Sequence, residues 1–448
     1  LGDGSAKGFP AGRNEYMWVL WEKYLRFKPD IEFKYVYYYD QADGDSTLFK
    51  RFPNKTMKEI AALMADGSNE SFGKYLPPEE IRKQIDLSRE GYRLVMKVDY
   101  KGRSTFLRTF NDNIFWPEEM QVSAALKRLL QDKMPTVLYT TGNLERNIYK
   151  TGEREYNLHS LAIGNRNSLV NLGFDADTIS LDSRDVPPST DILVLADPKT
   201  TLSPLMQNRV NQFIANAGNM MLFAEPGKQQ MLNPILQPMG LTLMNGTLVQ
   251  LSRNEMPHMA TPYTTLTAGD MADENILIKL RKSKGKDSVK LVFPGAAPIS
   301  WQDSGSSWTI KPIMLTTAGA AWLKMGHLVT DSAAPVFSPQ EGDIRMNSFP
   351  VAVQMIRKLG NKEQRLAVFG DADFMSTLRG GGDYLGRATF SWLNYNSFPI
   401  YAPRPLAIDN LLTISNPAAK TMEIIYTWIL PGLVLIFAIV LLIRRKRQ

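Results

Sequence analysis

The sequence predicts an α/β protein built on a doubly wound, Rossmann-like parallel sheet and held to a membrane by one C-terminal helix. Three observations predict it. From Pro135 onward, short apolar runs alternate with helical stretches, as expected when strands are covered on both faces. The loops closing those runs carry acidic residues at matching places. Residues Ile424 to Ile443 form one uncharged apolar run, followed at once by Arg444-Arg445-Lys446-Arg447.

Taken in order, the Gly-rich start to Gly12 reads as loose, and Arg13–Phe27 as an amphipathic helix carrying Trp18, Trp21 and Leu25. Ile31, Phe33, Tyr35, Tyr37 and Tyr39 alternate, which predicts a strand. Pro78 opens a short helix through Ile85, since proline suits the first helical position. Tyr92–Tyr100 and Ser104–Phe110 read as a hairpin turning at Lys101-Gly102. Pro117 then starts a helix running to about Leu130. These elements define an N-terminal α/β domain over residues 1–134.

The sheet domain is expected over 135–400. Its strands are Thr136–Thr140, Thr178–Leu181, Asp191–Ala196 and Met220–Ala224, with helices at Glu153–Leu172 and Pro204–Ala217. Val351–Ile356 and Arg365–Phe369 rejoin the sheet. Thr247–Pro335 is rich in Gly, Ser and Thr turns and reads as a β-rich insertion. Its strands are expected at Thr247–Leu251, Ile276–Leu280, Val289–Phe293 and Trp308–Leu315. Residues 401–420, with three prolines, form a stalk, and 421–448 the membrane helix and tail.

Twenty helical residues at ~1.5 Å each span about 30 Å, the thickness of a bilayer core. Lys and Arg are retained on the cytoplasmic side, so the tail is expected inside and the bulk of the chain outside. No signal peptide is visible from Leu1 onward, and an outward-facing bulk needs something to carry it across, so upstream sequence is expected: a cleaved signal, a first membrane helix or a whole membrane domain. Gly432 and Ala438 are small residues in the span, where they would let a neighbouring helix approach closely.

The net charge of +7 includes the four basic residues of the tail. The other 48 basic residues face 45 acidic ones, a balance that argues against nucleic acid as the partner. The absence of cysteine excludes disulfides, a Cys nucleophile and thiolate metal sites. The histidines at 159, 258 and 327 show no ligand spacing. No phosphate-cradling G-x-x-x-x-G-K-[ST] loop and no G-x-S-x-G elbow is present. No cofactor is expected.

Open α/β sheets bind ligands beyond the carboxyl ends of their strands. Four loops fall there: Thr141–Glu145, Asp197–Lys199, Glu225–Gly227 and Gly370–Asp373. Their acids, Glu145, Asp197, Glu225, Asp371 and Asp373, form a candidate ligand or cation edge. The same residue types also cap helices and shape turns.

Three stretches carry a family resemblance: Pro135–Glu145, Asp191–Thr200 with Leu202-Ser203, and Gly218–Pro226. Arg365–Phe374, Trp392-Leu393 and the terminal helix ending in Arg and Lys extend it over roughly residues 90–448. Together they resemble the auxiliary component of gliding-motility-type ABC transporters. The resemblance implies a non-enzymatic, extracytoplasmic subunit in a bacterial inner membrane, with its bulk periplasmic. It implies an ABC-2-type permease and a separate cytoplasmic ATPase as partners, with the cargo left open. It also implies a sheet domain similar to class I glutamine amidotransferases without their catalytic residues. The alternative carried by the acidic edge is a membrane-tethered hydrolase of envelope glycan or peptide.

Overall fold

The computed structural model describes residues 17–302, 307–330, 333–378, 381–402 and 414–446. The expected loose start, the beginning of the Arg13–Phe27 helix and most of the expected stalk lie outside these residues. The chain divides into two units, one reaching to Ala402 and one beginning at Pro403.

The first unit is organised by an eight-stranded mixed sheet. We number its strands β1 Thr136–Thr141, β2 Asp175–Ser180, β3 Ile192–Ala196, β4 Asn219–Phe223, β5 Tyr263–Thr264, β6 Thr309–Leu315, β7 Pro350–Leu359 and β8 Lys362–Phe369. Their spatial order is β5-β6-β7-β8-β4-β3-β1-β2. The five strands from β8 to β2 run parallel. β7, β6 and β5 extend the sheet antiparallel. The sheet is therefore not purely parallel. A two-residue Gly360-Asn361 turn joins β7 to β8, with Gly360 at φ +60, and so short a turn can only link antiparallel neighbours.

Side chains alternate strictly between two cores. Ile192, Val194 and Ala196 of β3 enter one, while Leu193 and Leu195 enter the other. Met221 and Phe223 of β4 oppose Met220 and Leu222 in the same way. Fully burying such a side chain contributes ~1.5–3 kcal/mol, so a register slip would forfeit both faces at once. Helices α1 Pro204–Ala215 and α2 Gln229–Leu236 cover one face. Helices α3 Asn275–Lys282 and α4 Asp383–Leu393 cover the other. Ser203 starts α1 by accepting the Met206 N–H at 3.2 Å, with Pro204 in the first turn.

Within residues 135–400, three expected elements differ. Glu153–Leu172 holds only a short helix, Asn157–Ser160, and a 3₁₀ turn, Leu169–Asn171. Asn171 Nδ2 bonds the carbonyls of Ile163 and Asn165, and Ser168 Oγ bonds that of Asn165. Such side-chain bonds compete with helix formation. Ile276–Leu280 is helical, with Leu277 and Leu280 buried at a helical spacing. Of Val289–Phe293, only Phe293–Pro294 pairs as strand, with Met259–Ala260. The segment expected as an insertion supplies β5 and β6 to the main sheet.

Before the sheet, Val95–Tyr100 and Arg103–Arg108 form the expected hairpin, turning at Lys101 and Gly102, both with positive φ. Helices Pro78–Gln84 and Glu119–Leu130 lie where the prolines placed them. Ile31–Tyr39 keeps its alternating burial but finds no strand partner beyond a single bridge, Tyr38 to Leu76. A helix at Met57–Gly67, closed by a Thr56/Glu59 capping box, was not anticipated.

In the second unit, residues 417–446 form one continuous helix, apolar enough to cross a membrane. A π turn at Ile425–Ile429 precedes Pro431. Proline removes one backbone donor and crowds the preceding turn, which a π bulge accommodates.

Candidate functional site

The parallel strands β1, β3, β4 and β8 end at one edge of the sheet. The chain order of the parallel half reverses between β1 and β3, the place where an open α/β sheet leaves a crevice. After β1 the backbone turns at Gly142, whose φ of +124 suits only glycine. Asn143 is then tied across the crevice, its amide donating to Thr200 Oγ1 at 2.9 Å and the Thr201 carbonyl at 3.1 Å. The next two residues diverge. Glu145 folds back and accepts the Asn143 N–H at 2.6 Å. Arg146 turns inward and is 5% exposed.

Arg146 is the hub. Its Nη2 lies 2.8 Å from Asp197 Oδ2 and 3.1 Å from Glu225 Oε1. Its Nη1 lies 2.9 Å from Asp373 Oδ1 and donates to the Arg154 carbonyl at 2.9 Å. One guanidinium thus joins the loops after β3, β4 and β8 to the loop after β1, using the fork geometry that suits arginine to carboxylates. Arg154 approaches Asp373 from outside at 3.4 Å, and Lys199 Nζ bonds Asp197. Glu225 Oε1 also accepts the Ala372 N–H at 3.1 Å. Asp371 is fully buried and accepts the N–H groups of Asp373 and Phe374 at 2.5 and 3.1 Å, opening the 3₁₀ turn Asp373–Met375.

The cluster rests on an apolar floor. Phe369 stacks on Phe223 and Phe374 with ring centroids 5.3 and 4.7 Å apart, and Tyr156 donates to the Ala372 carbonyl at 2.8 Å. That burial raises Glu225 to about 8, helped by the charges of Asp373 and Asp197 and opposed by Arg146. Asp371 is pushed well above the usual carboxylate range by burial, then by Glu225 and Asp373. Burial also raises Glu145. Burial works against the Arg146 charge, but Tyr156, Asp197, Asp373 and Glu225 hold it above the ordinary arginine value. Burial and like charge thus raise Glu225 and Asp371, while the carboxyls around Arg146 favour its charge.

The structure therefore brings together Asp197, Glu225, Asp371 and Asp373, and turns Glu145 to its own loop. Arg146, Arg154 and Lys199 were not anticipated. The available signal was Arg146 itself, a cation following directly on Glu145 in the first crevice loop. Among the described residues, no group of three or more His, Asp or Glu is placed to hold a metal ion. His159 is buried beside Tyr139, its Nε2 3.2 Å from the phenol oxygen, and burial lowers it to about 3, so it is neutral.

The chain thus combines a mixed α/β sheet whose crevice is filled by its own ion pairs with, among the described residues, one helix long and apolar enough to span a membrane. The family model described as "ABC-type uncharacterized transport system" matches residues 135–396, more than half of the chain. The chain belongs to this family of ABC transporter auxiliary components. None of the curated proteins compared matches it. Among solved structures it is similar to the mmIFT52 N-terminal domain, at 12% identity and a TM-score of 0.39, covering 58% of this chain and 98% of that one. A putative ThuA-like protein from Bacteroides uniformis shares 12% identity at a TM-score of 0.31, covering 59% and 93%. The exo-β-1,4-mannosidase Op5Man5 from Opitutaceae bacterium strain TAV5 shares 12% at 0.28, covering 61% and 37%. At such scores these likenesses carry no weight for function.

Proposed function

We propose that the chain is a non-catalytic, membrane-anchored accessory subunit of an ABC transport system. Its bulk faces the periplasm, its terminal helix crosses the inner membrane, and Arg444–Arg447 lie in the cytoplasm. It docks on an ABC-2-type permease that works with a separate cytoplasmic ATPase. In this reading residues 1–134 are an N-terminal module and 135–400 a Rossmann-like sheet domain, with 401–420 a stalk.

The observation supporting a non-catalytic role is the filled crevice. General acid–base chemistry needs open space beside the acid and the base for a reacting atom. Here the Arg146 guanidinium occupies the space between Asp197, Glu225 and Asp373. Glu225, protonated near neutral pH, is the one feature a hydrolase would share, but its Oε1 already meets Arg146 and the Ala372 N–H. Family membership supports the transport partner, and the apolar helix supports the anchor.

Docking through the helix would use its small residues. Gly432, with Ala438 further along, is small enough to let a neighbouring helix approach closely. A reporter active only outside the inner membrane, fused after Gln448, should be silent. Gly432→Leu should lower copurification of the permease while leaving membrane insertion intact. An active reporter would reverse the topology. A complex unchanged by Gly432→Leu would move the contact off this helix.

A further inference from the structure

Arg444, Arg445 and Lys446 follow the apolar run directly and close a segment that is α-helical from Leu430 to Lys446. All three are exposed. At ~1.5 Å per residue they lie within about 5 Å of the end of the run, which is the headgroup layer of a bilayer the run would span. Among the described residues of the second unit, Glu423 is the one acid. It stands before the opposite end of the span, about 30 Å along the helix axis. The three cations therefore have no carboxylate partner on their own helix among the described residues.

Their places around the helix differ. Successive residues turn by about 100°, so from Gly432 the Arg444 position lies at about 120° and Arg445 at about 220°. Both fall on the side away from Gly432. Lys446, at about 320°, returns to within about 40° of the Gly432 line. A permease helix packed at Gly432 would meet Lys446 and leave the two arginines to the lipid. A guanidinium presents a planar fork that pairs with two phosphate oxygens at once, which an ammonium does not. A zwitterionic lipid carries its own cation beside the phosphate. An anionic lipid brings the net charge that two unpaired guanidiniums lack.

We infer that Arg444 and Arg445 form a binding surface for anionic phospholipid headgroups, on the side of the helix away from Gly432. The inference rests on the functional reading above, which supplies the membrane and the Gly432 contact, and deepens it. One helix then meets protein on one side and charged lipid on the other.

The full-length chain, purified in micelles holding equal amounts of phosphatidylglycerol and phosphatidylcholine, tests it. Native mass spectrometry counts each lipid retained on the protein. The wild-type chain should retain phosphatidylglycerol over phosphatidylcholine by about tenfold, the scale of two basic residues at a charged surface. Arg444→Gln/Arg445→Gln should bring the ratio close to one. Arg444→Lys/Arg445→Lys should give an intermediate ratio, and Lys446→Gln should keep most of the preference. Millimolar inorganic phosphate should not displace the lipid. No preference in the wild type would overturn the inference, as would a preference kept by Arg444→Gln/Arg445→Gln. An equal loss in Lys446→Gln would show attraction by total charge and overturn the assignment to the pair. Displacement by phosphate would show a simple anion site and overturn it too. If Arg444→Gln/Arg445→Gln instead loses the coexpressed permease or ATPase at an unchanged lipid ratio, the arginines serve a protein and the inference falls. A wild-type chain that copurifies no permease would overturn the functional reading, while the lipid ratio still decides whether the arginines bind headgroups.

Discussion

The two halves of the main sheet close the same edge by opposite means. In the parallel half, the loops after β1, β3, β4 and β8 meet in a buried network in which Arg146 holds the carboxyls of Asp197, Glu225 and Asp373. In the antiparallel half, β6 and β7 are closed by a neutral pair. Thr316 donates its N–H to the Phe349 carbonyl at 3.0 Å, and its hydroxyl accepts the Phe349 N–H at 2.8 Å. Both solutions satisfy buried polar groups. Only the charged one ties loops from four strands together, and only it becomes severely unstable when one member is lost. The difference suggests that the ions serve to fix loops at the crevice, since simple closure needs no charge.

The comparison is sharpest at Arg146. Arg146→Met should lower stability by about 3–5 kcal/mol, because Asp197, Glu225 and Asp373 would be left buried without their common partner. Denaturant unfolding of the detergent-solubilised chain measures it. A loss comparable to that of an ordinary surface substitution would mean that the two halves do not differ.

A smaller effect depends on pH. Glu225 is raised from 4.5 to about 8 in the fold. A raised carboxyl favours folding while protonated, so its contribution is full below about 4.5 and is lost as pH rises through about 8. Asp371 is shifted in the same direction. The wild-type chain should therefore lose stability between these limits, on the order of a few kcal/mol. Glu225→Gln should flatten much of that slope. An unchanged slope in the variant would assign the dependence elsewhere.

The smallest effect belongs to the neutral half. Thr316→Val removes the acceptor and leaves the Phe349 N–H buried and unpaired, at a cost of about 1–3 kcal/mol. The loss should be the same at pH 5 and pH 9. A pH-dependent loss would show that the halves are coupled.

The two halves were also unequally legible in the sequence. Short apolar runs located β1, β3 and β4 because parallel strands buried on both faces leave continuous hydrophobic segments. β5 has only two residues, Tyr263 and Thr264, too short for any periodic signal. Ile276–Leu280 reads as strand or helix from composition alone, and its packing onto the sheet decided for helix. The helix at Met57 was legible and missed: Thr56 and Glu59 spell a capping box before Ile60 and Ala61. At the edge, the acids could be placed because each follows a strand. Their common partner could not. Whether Glu145 or Arg146 turns inward depends on the backbone path after Gly142, and neighbouring loop residues have no fixed period.

The most direct measurement of the central claim is a double-mutant cycle between Arg146→Met and Asp373→Asn in the full-length chain. If Arg146 is the shared counter-charge of the crevice, the double variant should lose less than the sum of the two single losses. The coupling should be about 1–3 kcal/mol. Strictly additive losses would mean that the two side chains are neighbours without a common network, and would contradict the account.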